Sequence, residues 1–364
     1  MHLIVLPAED LTQTAAPIHH LRERIGRLTL LTGNDRAEQR RARRYADALG
    51  RFAESRGLTW RVDVETLEEG SREGVDRLAA NHGGDASVAF LSVGAPWATL
   101  LLARAFGETT PFYTFDAFDN RLVTIRGGQS RFEEAERMDL AAYCGLLGYE
   151  ILERKERTRV LAEASLLEAL FKEQGPFQKV RRQLIHHGHA SSTSHTHILE
   201  TLEKLGIVKH GKLVEGMKNR LQGDLFEEYV YHICQRQGYD DIALGCRILF
   251  NPEENDPHRH VANEFDILFI DDNRIGTVEC KYVHRLDGEN FLYKYDAVID
   301  YFGRTARALI VNITQRERKK EQRGPNFTLS MLRRSQLGNV RIYHDTLFNY
   351  AKFTAHLRAI DEEI

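Results

Sequence analysis

Cysteine is scarce in this sequence. The 364 residues contain four, Cys144, Cys234, Cys246 and Cys280, and no CxxC pair. That scatter argues against a zinc ribbon or a disulfide framework and fits a reducing, cytoplasmic setting. No apolar run approaches the roughly 18 residues of a membrane span, so none is expected. The opening MHLIVLPAED lacks a basic leader and a long apolar core, and it reads as a first strand rather than a signal peptide. Positive charge is not in excess. The formal net charge is −3, so any affinity for nucleic acid must come from local patches. GxGxxG is missing too, which leaves dinucleotide binding with little support. What is present is ordinary for soluble globular protein, 42% hydrophobic and 28% charged residues. The length exceeds one usual domain and implies two or three.

The most informative stretch is NEFDILFIDDNRIGTVECKYV, residues 263 to 283. Two apolar, strand-like runs flank Asp272-Asn273, a pair that tolerates the positive φ of a tight reversal. If these two residues form the loop, Asp266 lies directly opposite Glu279, with Cβ atoms about 4.5–5.5 Å apart. Lys281, two residues further on, points to the same face, whereas Cys280 points to the other and is expected in the core. Two carboxylates and an ammonium would thus share one patch. Carboxylate oxygens suit Mg²⁺ or Mn²⁺, and a lysine beside them can orient a nucleophile or stabilise growing phosphorane charge. An ordinary surface hairpin with a cross-strand ion pair would look the same by itself. The Asp-x12-Glu-Cys-Lys pattern resembles the PD-(D/E)xK motif of restriction-endonuclease-like enzymes. The resemblance implies Asp266, Glu279 and Lys281 as catalytic residues, with Asp266 and Glu279 holding the metal.

In the first third, strands alternate with helices. Strands are expected at Leu3–Leu6, Leu28–Leu31, Trp60–Val64 and Val88–Val93. A polar loop is expected at Glu9–Pro17, and helices at Ile18–Gly26, Arg36–Arg56, Gly74–Ala80 and Trp97–Phe106. This alternation implies a mostly parallel, Rossmann-like sheet, whose ligands sit beyond the carboxyl ends of the strands. The loops Glu9–Pro17, Thr32–Asp35 and Ser92–Pro96 follow such ends. They suit either phosphate approach or plain helix capping. The strand order, the loop with Gln13 and Pro17, the Thr32-Gly33 turn, FDAFDNRLVTI and MDLAAYCGLLGYEI together resemble a CARF domain of the nuclease-fused kind. The resemblance implies a homodimer that senses a cyclic oligoadenylate, here cyclic tetraadenylate, in type III CRISPR immunity. The implied ligand contacts are Gln13, Thr14, Thr32, Gly33, Asn34, Ser92, Gly94, Ala95, Trp97 and Thr99. Many family members carry Gly-Gly-Thr-Lys after the fourth strand. Gly94-Ala95-Pro96-Trp97 stands there instead and lacks the phosphate-binding lysine.

Residues 131–152 are expected to be helical, followed by a charged linker from Glu153 to Arg159. Helix, polar turn, helix and a short apolar strand between 180 and 214 suggest a winged-helix-like unit, serving as spacer, dimerisation element or DNA reader. Its histidines, His186, His187, His189, His195 and His197, lack cysteine partners and one-face ligand spacing, and read as solvated turn residues.

The last third orders as helix (Leu225–Gln237), strand (Ala243–Phe250), the hairpin, helix (Asn290–Phe302) and strand (Ala308–Ile313). This α-β-β-β-α-β order is the common core of restriction-endonuclease-like folds. It agrees with the motif independently. GDLFEEYVY resembles the Gly-x-Trp-x-Glu-x-Tyr-Val helix of CARF-fused nucleases, with Leu225 at the tryptophan position, and NEFD resembles their Asn-Glu-Leu-Asp. The resemblance implies a metal-supporting role for Glu227 and a scissile-phosphate contact for Lys294, which reads equally as a solvent-facing helix lysine; Glu264, opposite Lys281 in the hairpin register, either supports the metal site or simply neutralises that lysine. A basic cluster, Arg316, Arg318, Lys319, Lys320 and Arg323, with Arg333 and Arg334 further on, would suit a phosphate backbone or a solvated loop.

The sequence reading is therefore an α/β protein in three parts. They are a CARF-like sensor (1–152), a helical, winged-helix-like segment (153–216) and a PD-(D/E)xK nuclease domain (217–364). Its expected activity is metal-dependent cleavage of DNA and/or RNA, switched on by cyclic oligoadenylate, in a cytoplasmic homodimer with no membrane contact. Two other readings stay open: a ligand-responsive DNA-binding regulator with an inert nuclease domain, and a repair or restriction nuclease with a different sensor ligand.

Overall fold

The computed structural model describes residues 1–6, 11–67, 72–82, 87–92, 96–190, 195–252, 260–283, 288–303, 305–314 and 339–362. In chain order the N-terminal part contributes β1 (His2–Leu6), α1 (Thr12–Leu21), β2 (Arg27–Thr32) and α2 (Arg36–Ser55). Next come β3 (Arg61–Thr66), α3 (Arg72–His82), β4 (Val88–Ser92), α4 (Pro96–Phe106), β5 (Phe112–Asp116), β6 (Arg121–Arg126), β7 (Gln129–Glu134) and α5 (Leu140–Leu147). The sheet order is β3-β2-β1-β4-β5-β6-β7. β1 to β5 run parallel, and β6 and β7 close the edge antiparallel. β1 and β4 lie at its centre and are buried throughout, as apolar runs in a doubly covered parallel sheet should be. Tyr45, Ala48, Leu49 and Phe52 form the buried stripe of α2. Asp35 caps that helix, accepting the Ala37 and Glu38 N–H groups at 2.9 Å.

Two expected elements differ. Helix α1 starts at Thr12, six residues before Ile18, and contains Pro17. The missing proline N–H costs one helical hydrogen bond, but burial of Ala15, Ala16, Ile18 and Leu21 against the sheet outweighs it. Residues 131–152 are not one helix. Gly127 and Gly128 both take positive φ, 59° and 72°, and turn the chain back as β7. α5 then begins at its Asp139 cap and stops at Gly148 with φ 77°.

The chain continues with β8 (Glu150–Glu153), α6 (Arg157–Ala162), α7 (Ala164–Lys172), α8 (Gln174–His187), α9 (Thr196–Lys204), β9 (Val208–Lys209) and β10 (Lys212–Leu213). α7 to α9 and the small β9–β10 hairpin make the winged-helix-like unit. It is not a free spacer, because it shares a core with the C-terminal part. Phe171 stacks on Tyr229 at 4.4 Å between centroids, and Arg181 of α8 lies over the Tyr282 ring at 4.5 Å.

The C-terminal part adds α10 (Leu225–Gln235), β11 (Asp241–Leu249), β12 (Ala262–Asp271), β13 (Arg274–Val283), α11 (Gly288–Ile299), β14 (Arg307–Thr314), β15 (Val340–Asp345) and α12 (Tyr350–Glu362). Its sheet runs β15-β14-β13-β12-β11-β8. Thus β8, expected to end the sensor, is an edge strand of the second sheet, antiparallel to β11. The two sheets are joined at the tip of the β12–β13 hairpin. Asn273 is buried there, donating to Asn120 Oδ1 (2.8 Å) and the Glu136 carbonyl (3.0 Å) and accepting from the Met138 N–H (2.8 Å). The molecule is α/β, with a Rossmann-like CARF-type sheet first and a nuclease-type sheet last.

Candidate active site

The hairpin turns as its sequence demands. Asp272 and Asn273 both have positive φ, 47° and 62°, the two-residue turn whose twist matches antiparallel strands. Pairing runs from Asp271–Arg274 down to Ile267–Val278, one step short of Asp266 and Glu279. Beyond it Asp266 Oδ2 accepts the Cys280 N–H at 2.7 Å, which fixes the carboxylate against β13. Lys281 Nζ lies 3.6 Å from Asp266 Oδ2 and donates to Glu279 Oε1. β13 is an interior strand, so Glu279 is only 8% exposed. An acid that deep needs a partner for every oxygen, yet among the described residues Glu279 Oε2 is buried without one.

Glu227 comes from the first turn of α10. That turn is braced from behind: Arg220 and Arg159 both bind the neighbouring Glu228, at 2.9 and 2.7 Å, and Arg181 donates to the Leu221 carbonyl at 2.7 Å. Burial raises the Glu227 carboxyl to about 7, reinforced by the negative charge of Asp266. Burial likewise raises Glu279 to about 7, with Asp266 again second. For Lys281 burial opposes the charge, but Asp266 and Glu279 outweigh it and hold the ammonium protonated. Three carboxylates and a lysine therefore compete in one poorly hydrated space. The orphaned Glu279 oxygen and the hard oxygen donors fit a divalent cation such as Mg²⁺ or Mn²⁺.

The other expected residues divide. Glu264 is exposed and pairs in register with Arg247 on β11. Lys294 lies in α11, with its side chain outside the described residues. So do Arg316, Arg318, Lys319, Lys320, Arg323, Arg333 and Arg334. Cys280 packs in the core, and burial raises its thiol well above the ordinary range. In the N-terminal part, Thr14, expected as a ligand contact, lies in α1. It is fully buried, donating to the Leu11 carbonyl at 2.6 Å and bonded to Tyr45 Oη at 2.9 Å. Gln13, half-buried, and Asn34, exposed, stand near the strand ends. Thr32 ends β2 with a buried hydroxyl that has no partner among the described residues, Gly33 donates to Glu38 Oε1 at 2.9 Å, and Ser92 bonds Thr99. Gly94, Ala95 and the Trp97 side chain lie outside the described residues. Of the histidine tract, His186, His187, His189 and His197 are exposed.

Sequence reasoning missed three neighbours. Asn312 and His344 stand beside Lys281 in register on β14 and β15, and their side chains meet at 3.0 Å. Lys155, from the segment after β8, binds Glu227 at 3.2 Å. A lone polar residue in the apolar run ALIVNI was the available signal for Asn312. One acidic group lies elsewhere: among the described residues, Asp240, Asp271 and Asp272 bring carboxylate oxygens within 4.8 Å of one another. Arg137 binds Asp240 at 2.9 Å and Asp272 at 3.1 Å, so this group serves as an ion-pair cluster between the sheets.

Residues 215–351, which include all four converging side chains, match the Card1-like endonuclease domain family. This chain carries a Card1-like endonuclease domain. The Card1-like domain makes it a nuclease. No curated protein sequence matches the chain. Among solved structures, protein VC1899 from Vibrio cholerae is similar over 99% of this chain and 98% of its own, with TM-score 0.76 and 16% identity. Can2 from Sulfobacillus thermosulfidooxidans, solved in complex with cyclic tetra-adenylate, covers 99% of both chains with TM-score 0.70 and 15% identity. A type III CRISPR defence DNA nuclease activated by cyclic oligoadenylate covers 90% of this chain and 47% of its own, with TM-score 0.52 and 18% identity. These likenesses extend the fold over the sensor-type sheet as well as the Card1-like domain. Among the described residues, no helix is long and apolar enough to cross a membrane.

Proposed function

We propose that this chain is a cyclic-oligoadenylate-activated, metal-dependent endonuclease of type III CRISPR defence, working in the cytoplasm as a homodimer. Residues 1–152 would sense cyclic tetraadenylate, 153–216 brace the nuclease, and 217–364 cleave DNA and/or RNA. The observation that carries the reading is the convergence of Glu227, Asp266, Glu279 and Lys281 within a Card1-like domain, with one buried carboxylate oxygen left unpartnered among the described residues. The structural likeness to a protein solved with cyclic tetra-adenylate supports the sensor reading. Leu100, Phe118 and Phe132, each more than half exposed on the N-terminal part, offer apolar surface that a second copy would cover.

Asp266 and Glu279 would hold Mg²⁺ or Mn²⁺, with Glu227 completing the set. A bound divalent ion would polarise the phosphate and lower the pKa of water. The protein's own part follows from the geometry. The Cys280 N–H aims Asp266, the braced α10 aims Glu227, and Lys281 keeps an ammonium beside Asp266 and Glu279, where it can orient the nucleophile or stabilise charge on the phosphorane. Activation requires a ligand that binds one arrangement of the sensor better than another. The hydrogen-bonded Asn273 tip and the β8 edge strand are two routes by which such a shift would reach the site. An inert nuclease on a DNA-binding regulator fits less well, because the acidic set and its lysine are intact. The test is cleavage of labelled DNA and RNA in Mn²⁺ by the wild-type chain and Glu279→Ala. Loss of cleavage in the variant is expected; full activity without Glu279 overturns the site.

A further inference from the structure

The segment between the two sheets contributes a side chain to the nuclease centre. Lys155 follows β8 by two residues, and its N–H donates to the Leu244 carbonyl of β11 at 3.0 Å. Its ammonium reaches Glu227 Oε2 at 3.2 Å and Asp224 Oδ1 at 3.8 Å. The path between those two ends is built for it. Gly245 lies between the Leu244–Ile267 and Cys246–Phe265 pairs, which places it across the ladder from Asp266. A Cβ on Gly245 would stand 2.4 Å from Lys155 Cδ and 2.6 Å from Cγ, and Gly245 also takes φ 53°. Only glycine leaves room for that lysine stem and accepts that backbone at low cost. The lysine is therefore threaded over the strand that faces Asp266 and delivered onto the carboxylate of α10.

We propose that Lys155 is a positioning residue of the nuclease centre: it fixes the Glu227 carboxylate for cation binding and makes the centre depend on the segment that leaves the sensor sheet. The assignment rests on the nuclease reading above and deepens it. Glu227 is mostly buried, its side chain 15% exposed, and among the described residues Lys155 is the cation that contacts it. A carboxylate held by one defined partner presents its remaining lone pairs in one direction; released, it can rotate or protonate against Asp266. Partners that orient metal-ligating groups commonly carry 10–100-fold in affinity when removed. Because Lys155 is two residues from an edge strand that pairs with β11, displacement of β8 moves the ammonium directly.

The test uses the full-length protein and Mn²⁺ alone, with free Mn²⁺ counted by electron paramagnetic resonance. Wild type, Lys155→Met, Lys155→Gln and Lys155→Arg are compared, each first checked for an unchanged melting transition. Lys155→Met and Lys155→Gln should weaken Mn²⁺ binding at the centre by about 10–100-fold, and Lys155→Arg should restore most of it. Unchanged or tighter binding in Lys155→Met overturns the assignment, since the lysine would then be idle or a mere competitor of the cation. Failure of arginine to restore binding also overturns it. A wild-type chain that takes up no Mn²⁺ sinks the metal-site reading itself, and this assignment with it.

Discussion

Replacing Glu279 by glutamine should stabilise the metal-free protein, by an amount that grows with pH. The glutamine keeps the shape and removes the charge. The carboxyl has an ordinary value of 4.5 and is raised to about 7 in the fold, first by burial and then by Asp266. Below pH 4.5 it is neutral in both folded and unfolded states, so the variant gains nothing. Between 4.5 and about 7 the unfolded chain gives up the proton while the folded chain keeps it, and wild-type stability falls with each step. Above about 7 the folded protein must carry the buried charge, and the full cost is in place. At 1.36 kcal/mol per pKa unit the ceiling is roughly 3 kcal/mol, and proton sharing with Glu227 brings the expectation to about 1–3 kcal/mol. Thermal unfolding in EDTA at pH 5, 6, 7 and 8 reads this as a widening gap of several degrees in favour of the variant. Saturating Mn²⁺ should reverse the order, because the cation stabilises the wild-type carboxylate. A variant that is less stable at pH 8, with the gap closing toward pH 5, would show a contented carboxylate and refute the reasoning.

Three further outcomes follow from the same geometry. Asn273→Gly keeps the positive φ but strands Asn120 and the Met138 N–H, so it should cost about 1–3 kcal/mol and lower ligand-stimulated cleavage more than basal cleavage; equal loss of both would sever the tip from signalling. Gly276→Ala would put a Cβ 2.1 Å from the Phe269 ring, which stacks on Tyr239 at 4.0 Å, and should destabilise by about 1–3 kcal/mol in calorimetry; a neutral result would mean that the ring moves freely. Mn²⁺ uptake should release protons, and its affinity should rise with pH up to about 7, where Glu227 and Glu279 ionise; pH-independent binding would place the cation elsewhere.

The hairpin was legible because its information is local. An Asp-Asn pair that accepts positive φ sets the register, and the register sets which side chains share a face. The fold order was legible for a similar reason, since apolar strands and capped helices alternate along the chain. Residues 131–152 were misread because abundant charged and helix-forming residues masked two punctuation marks, the Gly127-Gly128 turn and the Asp139 cap. Lys155 was out of reach for a different reason. Its role depends on β8 pairing with β11, about a hundred residues away, and on a glycine whose purpose appears only when the lysine stem lies over it. Asn312 and His344 likewise meet only across two parallel strand pairings. Long-range pairing brings together residues whose spacing carries no period to read.

The most direct test of the central claim is metal-dependent cleavage measured with and without cyclic tetraadenylate. Purified chain is incubated with Mn²⁺ and single-stranded DNA, duplex DNA or RNA, and product is followed with time. Cleavage that is slow alone, rises at least tenfold with cyclic tetraadenylate and vanishes in Glu279→Ala is the predicted result. Cleavage indifferent to every cyclic oligoadenylate ring size, or absent in its presence, contradicts the account.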